Sequence, residues 1–300
     1  MSSFWSVAVL KKIQNFNELV MFEHTIFSAS FILISMVVSS LQADGSVWMG
    51  WYTFFLCVVA LVSARNFAMG FNRLLDRDID ALNPRTTSRP SVDGRVGFVA
   101  LSVFCGVNAI IFVLVSYYIN TLAFMLSLPF LVILGGYSVM KRISSLAHLV
   151  LGISLGLAPI AGCIAVLGSL EWWCVALSVA VMFWVAGFDL LYSLQDREFD
   201  IKHNLYSIPS RFGVQNTLYL SRLFHLCAVI FWGIFIYQTQ ILGVISYVGL
   251  VVCAIMLIYE QYLVHKDFMN IPKAFFATNG YLGFVFFAFV AFDGVWHYGL

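Results

Sequence analysis

Asn72-Arg-Leu-Leu-Asp-Arg-Asp-Ile-Asp80 closes an apolar stretch that runs from 47 to 71. Asn72, Asp76 and Asp80 are spaced by four, so on a helix they stack turn above turn on one face. Two carboxylates at that spacing repel by about 0.2–0.5 kcal/mol. A cation between them removes the penalty. Hard divalent cations such as Mg²⁺ favour such oxygen ligands and often share them with substrate phosphates.

The run recurs 120 residues later. Tyr192-Ser-Leu-Gln-Asp-Arg-Glu-Phe-Asp200 carries Asp196-Arg-Glu-Phe-Asp200, which matches Asp76-Arg-Asp-Ile-Asp80 by type at every position. One acidic run past a helix end is an ordinary solvated terminus. Two matching runs in a chain with only 10% charged residues point instead to two facing metal–diphosphate sites.

The 300 residues are 61% hydrophobic, and the mean hydropathy is +0.92. A soluble domain carries roughly 25% charge. The composition therefore implies an all-α polytopic membrane protein. A net charge of +1 gives no basis for a nucleic-acid partner, and no protein partner is implied. The N-terminus lacks the basic and apolar regions of a signal peptide. Residues 1–20, with Lys11, Lys12 and Glu18, are expected to form a surface helix. The six cysteines lie in or beside apolar segments without a CxxC pair and read as inert buried thiols. No His or Cys metal site is expected.

Apolar segments of spanning length fall at 22–42, 47–71, 96–118, 121–140, 146–168, 171–193, 215–237, 241–264 and 275–293. Each is near the ~20 residues that a bilayer core requires. The expectation is one domain, 1–300, of nine transmembrane helices. The connections at 43–46, 119–120, 169–170 and 238–240 are short and contain no Lys or Arg, whereas those at 72–95, 141–145, 194–214 and 265–274 are longer or basic. All 16 Lys and Arg can be placed on one side, which marks the cytoplasmic face. The N-terminus is thus expected inside and the C-terminus outside, with both aspartate runs at the cytoplasmic face. They follow spans two and six, as a duplicated four-helix unit would place them.

Several cations accompany the runs. Pro84 ends the first one, and Arg85 and Arg89 follow it, either as positive-inside anchors or as bidentate phosphate ligands. Arg65 lies about two turns deeper than Asn72. It is either a snorkelling arginine or a functional group in the membrane. Asp189, seven residues before Asp196, is expected at the mirrored position in span six. Tyr137 and Lys141 share a helix face at the end of span four, beside Arg142. Lys202 follows the second run.

At this point the chain resembles the UbiA superfamily of intramembrane prenyltransferases, and within it the 4-hydroxybenzoate polyprenyltransferase branch. Asn72-x3-Asp76-x3-Asp80 resembles the first family motif. Asp196-x3-Asp200, preceded by Tyr192, resembles the second. Tyr137-x3-Lys141, Phe22-Glu-His-Thr-Ile-Phe27, Leu151-Gly-Ile-Ser-Leu-Gly-Leu-Ala-Pro159 and Asn279-Gly280 resemble further elements. Arg73 departs from the pattern, standing where many members carry Asp.

The resemblance implies that Asn72, Asp76, Asp80, Asp196 and Asp200 hold Mg²⁺ bridging the diphosphate of a polyprenyl donor. It implies Arg89, Tyr137 and Lys141 as diphosphate contacts, and Arg142 and Lys202 are expected to join them. Arg65 would face the carboxylate of an aromatic acceptor, and Asp189 would line the same chamber as a candidate catalytic group. The expected activity is polyprenyl transfer to 4-hydroxybenzoate in quinone biosynthesis, with a dihydroxynaphthoate of menaquinone biosynthesis as the alternative. The expected setting is a bacterial inner membrane or its equivalent. Such chemistry suits the composition: the dry chamber protects an allylic cation from water, and aromatic faces favour it. A secondary transporter is the rival from another class. It predicts charged groups near the bilayer midplane, whereas these acidic runs lie at one face.

Overall fold

The computed structural model describes residues 2–21, 25–274 and 278–299. The start of the expected first span at 22–24 and the start of the expected ninth at 275–277 lie outside them. The described residues are helical, with no strand among them. The elements are α1 (Ser2–Val20), α2 (Thr25–Asp44), α3 (Trp51–Leu75), α4 (Arg77–Leu82), α5 (Phe98–Ile119), α6 (Thr121–Ile143), α7 (Ala147–Leu167), α8 (Trp172–Ser193), α9 (Arg197–Lys202), α10 (Ile208–Thr239), α11 (Val244–Lys266), α12 (Ile271–Ala274) and α13 (Gly280–Tyr298).

Among the described residues, eight helices are long and apolar enough to cross a bilayer; α2 has only the shorter apolar stretch Ser28–Asp44. The chain is thus a multi-pass membrane protein. Span boundaries shift where apolar pattern and helix differ. The last helix runs on to Tyr298, past the expected end at 293, because Trp296 and Tyr298 continue it. Exposed Trp51, Tyr52, Tyr117, Tyr118, Trp172 and Tyr237 all stand near the connections that lack Lys and Arg. They form the aromatic belt of one interface, opposite the face that carries the aspartate runs.

Helices in lipid gain nothing from hiding apolar surface from one another, so close packing has to hold them. Gly152 and Gly156 of α7 supply it against α8. A Cβ on Gly152 would overlap the Met182 carbonyl oxygen, and one on Gly156 would come within 2.8 Å of the Ser178 oxygen. The Ser178 hydroxyl donates to the Gly156 carbonyl across this contact at 2.6 Å. On its other flank α8 packs along α10. Trp184 of α8, Trp232 and Phe235 of α10, Phe31 of α2 and Phe286 of α13 fill the core. Trp184 also donates to Asn279, which donates to the buried Glu260 of α11. The helix that carries Asp189 and leads into the second aspartate run is therefore clamped on all sides.

The duplication is visible in the backbone. α3 breaks at Asp76 (φ −88°, ψ 8°) and continues as the six-residue α4. α8 passes through one tight turn, Leu194–Asp196, and breaks at Asp196 (φ −98°, ψ 1°) before the six-residue α9. α4 ends at Leu82 because Pro84 pushes Asn83 to an extended ψ of 115°.

Candidate functional site

A cavity of about 350 Å³ opens between the two aspartate runs and reaches into the bundle. Its inner walls are apolar, with Phe112, Phe130, Leu155 and Ala158. Its mouth is charged. Asp76, Asp80, Asp196 and Asp200 all line it and all are buried. The first run hangs from the kink at Asp76, whose N–H still bonds the Asn72 carbonyl at 2.9 Å. The Asn72 amide donates to Asp76 Oδ2 at 2.9 Å, as the expected stacking requires.

The loop after α4 folds back over the mouth. The Thr86 hydroxyl donates to the Asp80 carbonyl at 2.8 Å and pins the loop there. This delivers one arginine to each run. Arg89 donates to Asp80 Oδ1 at 2.6 Å. Arg85 holds Asp196 with two bonds, Nε to Oδ1 at 3.0 Å and NH2 to Oδ2 at 2.5 Å, while its NH1 donates to the Tyr192 hydroxyl. Asn83 adds a third bond to Asp196 at 3.1 Å. Burial works to raise the Asp196 carboxyl, but the Arg85 guanidinium outweighs it and holds the group below the usual range. Asp76 has no arginine so close. Burial, reinforced by the Asp80 charge, pushes its carboxyl up, against the pull of Lys141 and Arg142.

At the mouth, three buried carboxylate oxygens have no hydrogen-bond partner among the described residues: Asp76 Oδ1, Asp80 Oδ2 and Asp200 Oδ1. They come from both runs and face one mouth. Orphaned carboxylate oxygens are costly in a folded protein. They are the hard donor set that Mg²⁺ takes. No three acidic, His or Cys side chains among the described residues close a site by themselves.

Lys141 ends α6 at the mouth, where its charge reaches Asp76, Asp196 and Asp200 together. Its backbone carbonyl also anchors the segment after the second run, accepting from the Tyr206 N–H at 3.0 Å. Tyr137, one turn inward, lines the cavity. Arg65 lies deeper in the same cavity, with one long bond to the Met21 carbonyl (3.5 Å) and a buried Nε that has no hydrogen-bond partner among the described residues. Asp189 lines the cavity from α8.

Three residues sit differently from the expectation. Arg142 does not line the cavity; it pairs with Asp78 (2.5 Å) and the Leu75 carbonyl (2.7 Å) and lies 3.9 Å from Asp76 Oδ1 at the rim. Lys202 is exposed on the outer face of α9 and does not line the cavity. Asp189 does not mirror Arg65. Counted from the equivalent breaks, Arg65 lies eleven residues before Asp76 and Asp189 seven before Asp196. At 1.5 Å per residue, Arg65 is about 6 Å the deeper.

Two cavity-lining residues carried no sequence signal. His148 is a lone histidine at the start of a span, and its partner Asp189 is remote in sequence. Asn83 looks like a residue that merely precedes a proline. Arg73, the departure from the family pattern, also lines the cavity; it is buried and donates to the Asn72 side-chain oxygen at 3.2 Å.

Comparison with known proteins agrees with this architecture. The model of the UbiA prenyltransferase family matches residues 32–291. The 4-hydroxybenzoate octaprenyltransferase of Marinobacter nauticus is 31% identical over 226 residues, covering 74% of this chain and 75% of that protein. That of Tolumonas auensis is 32% identical over 222 residues, covering 72% and 75%. Among solved structures, the apo form of a UbiA homolog from Aeropyrum pernix K1 superposes with a TM-score of 0.80 at 32% identity, covering 90% of this chain and 98% of the other. A UbiA homolog from Archaeoglobus fulgidus bound to DMAPP and Mg²⁺ shares the fold at 18% identity, with a TM-score of 0.72 over 94% of this chain and 99% of that one. The mouth with its paired aspartate breaks sits at one face of the bundle, away from the mid-membrane position of a transporter site, and the chain belongs to the UbiA prenyltransferase family.

Proposed function

We infer that this protein transfers a polyprenyl group from a polyprenyl diphosphate to the ring of a carboxylated aromatic acceptor, 4-hydroxybenzoate first, in a Mg²⁺-dependent reaction of quinone biosynthesis. The observation that carries the reading is the convergence of three buried carboxylate oxygens with no hydrogen-bond partner among the described residues, from two equivalent helix breaks, on the mouth of one chamber. The curated relatives named for 4-hydroxybenzoate prenylation support the acceptor. The DMAPP and Mg²⁺ bound to the Archaeoglobus homolog support the donor chemistry.

Asp76, Asp80, Asp196 and Asp200, with Asn72, would hold the cations. Bound there, Mg²⁺ neutralises the diphosphate charge that grows as the allylic C–O bond breaks. The chain's own groups do the rest. Arg85 and Arg89 stand on the aspartates as placeholders for positive charge, and their donors become available to phosphate oxygens once that charge is supplied otherwise. Lys141 adds a point charge between the runs. Phe112, Phe130 and Phe188 line the chamber, where their faces favour an allylic cation and their bulk excludes water. Arg65 holds the acceptor carboxylate at the inner end.

The whole of 1–300 acts as one transmembrane domain of nine spans, with α2 as the first. The N-terminus and the aspartate mouth face the cytoplasm, and the setting is a bacterial inner membrane or its equivalent. The asymmetry of Lys and Arg between the two sets of connections supports this orientation. The test is product formation by purified protein given labelled polyprenyl diphosphate, Mg²⁺ and one acceptor at a time. A prenylated 4-hydroxybenzoate that disappears with EDTA is the expected result. Folded protein that transfers to no carboxylated aromatic overturns the reading.

A further inference from the structure

Behind Asp189 on α8 stands His148, in the first turn of α7. Its Nδ1 lies 2.7 Å from Asp189 Oδ2. Both line the chamber, but the His148 side chain is 2% exposed and that of Asp189 22%, so the carboxylate is the more open member of the pair. A carboxylate only accepts, so Nδ1 carries the hydrogen of this bond. Nε2 is buried without a hydrogen-bond partner among the described residues. An orphaned buried nitrogen costs stability that a leucine or phenylalanine would not, so packing alone does not account for a histidine. The pair is held rigidly, because Gly152 and Gly156 press α7 onto α8 just beyond it. Arg65 lines the same chamber, about one turn deeper than Asp189 when each is counted back from its helix break.

We propose that His148 is a positioning residue that holds Asp189 as the proton acceptor for the phenolic hydroxyl of the aromatic acceptor. The proposal rests on the prenyl-transfer reading given above. The allylic C–O bond breaks and both electrons leave on the diphosphate. As the ring carbon beside the hydroxyl bonds to the allylic carbon, the hydroxyl proton passes to Asp189 Oδ1, which makes no hydrogen bond within the described residues. The resulting dienone gives its ring hydrogen, as a proton, to the departing diphosphate. It takes the Asp189 proton back on oxygen, which restores both the aromatic ring and the carboxylate. One proton per turnover leaves with the diphosphate. His148 turns the second carboxylate oxygen away from the chamber and keeps the first one aimed into it.

The experiment compares wild type, His148→Phe and His148→Asn with 4-hydroxybenzoate and with its 3-fluoro analogue, whose hydroxyl is more acidic. His148→Phe is expected to lower kcat by about 10- to 100-fold with 4-hydroxybenzoate. KM for donor and acceptor should stay nearly unchanged. The 3-fluoro acceptor should recover most of the loss, since it surrenders its proton with less help. His148→Asn, whose amide can replace the Nδ1 donor, should recover part of it, and it decides the matter if the Phe variant does not fold. Equal losses with the two acceptors, a change confined to KM, or no change would each overturn the role. Wild-type transfer to 4-hydroxybenzoate separates those outcomes from a failure of the prenyl-transfer reading, with which the proposal would also fall.

Discussion

Asp76 and Asp196 occupy the same backbone break 120 residues apart, each ending a spanning segment and each followed by a six-residue helix that carries a second aspartate. The break turns the acidic run across the mouth of the chamber. Without it the helices would carry Asp80 and Asp200 straight out into water. If both breaks present metal ligands, Asp76→Asn and Asp196→Asn should each lower transfer by at least ~100-fold, the scale seen on removing one transition-state donor. Labelled-donor turnover by folded, membrane-inserted protein measures this. Near-normal turnover in both variants would remove the metal–diphosphate assignment.

Arg85 should behave differently from a generic surface cation. Its fork holds both oxygens of Asp196 and the Tyr192 hydroxyl at once. A lysine keeps the charge and loses the fork. Arg85→Lys should therefore weaken donor binding by about tenfold, the value of one charged hydrogen bond. Titration with a non-reactive prenyl thiodiphosphate reads it directly.

Arg65 lies well inside α3, far from the mouth. Arg65→Ala should raise the acceptor KM and leave the donor KM unchanged. A variant in which only donor binding suffers would move Arg65 to the diphosphate.

Lys202 serves as the contrast. Exposed on the outer face of α9, it should be replaceable by alanine with donor KM within about twofold of wild type, as surface changes remote from a site usually are. A large rise in donor KM would restore it to the site.

The α7–α8 contact has a stability test. Gly152→Val places side-chain atoms where the Met182 backbone already sits. Overpacking of this kind costs about 1–3 kcal/mol or more. A lowered melting temperature in detergent is expected. Activity should fall as well, because His148 and Asp189 depend on the same contact.

Much of the architecture is legible in the order of residues alone. The apolar segments, the alternation of connections with and without Lys and Arg, and the recurrence of the aspartate run are local patterns, written in periods of four and about twenty residues. The stacking of Asn72 on Asp76 follows from helical spacing. The pairing of Arg142 with Asp78 does not, because spacing measured along an unbroken helix ignores the kink at Asp76. The depth of Asp189 is hidden for the same reason. Counting along unbroken helices, from Asn72 on one side and Asp196 on the other, sets Arg65 and Asp189 level, whereas counting from the equivalent breaks sets them about one turn apart.

By itself the sequence determined the membrane class, the spanning segments and the residues that carry the acid chemistry, because hydrophobic length and helical period act within one segment. Only the tertiary structure decided which partner meets which acid. Arg85 finds Asp196 across 111 residues and Asp189 finds His148 across 41. Those pairs form because glycines let α7 close on α8 and because Thr86 folds the loop after α4 over the mouth. Such contacts depend on how separate helices pack, a relation between distant segments that no local period encodes.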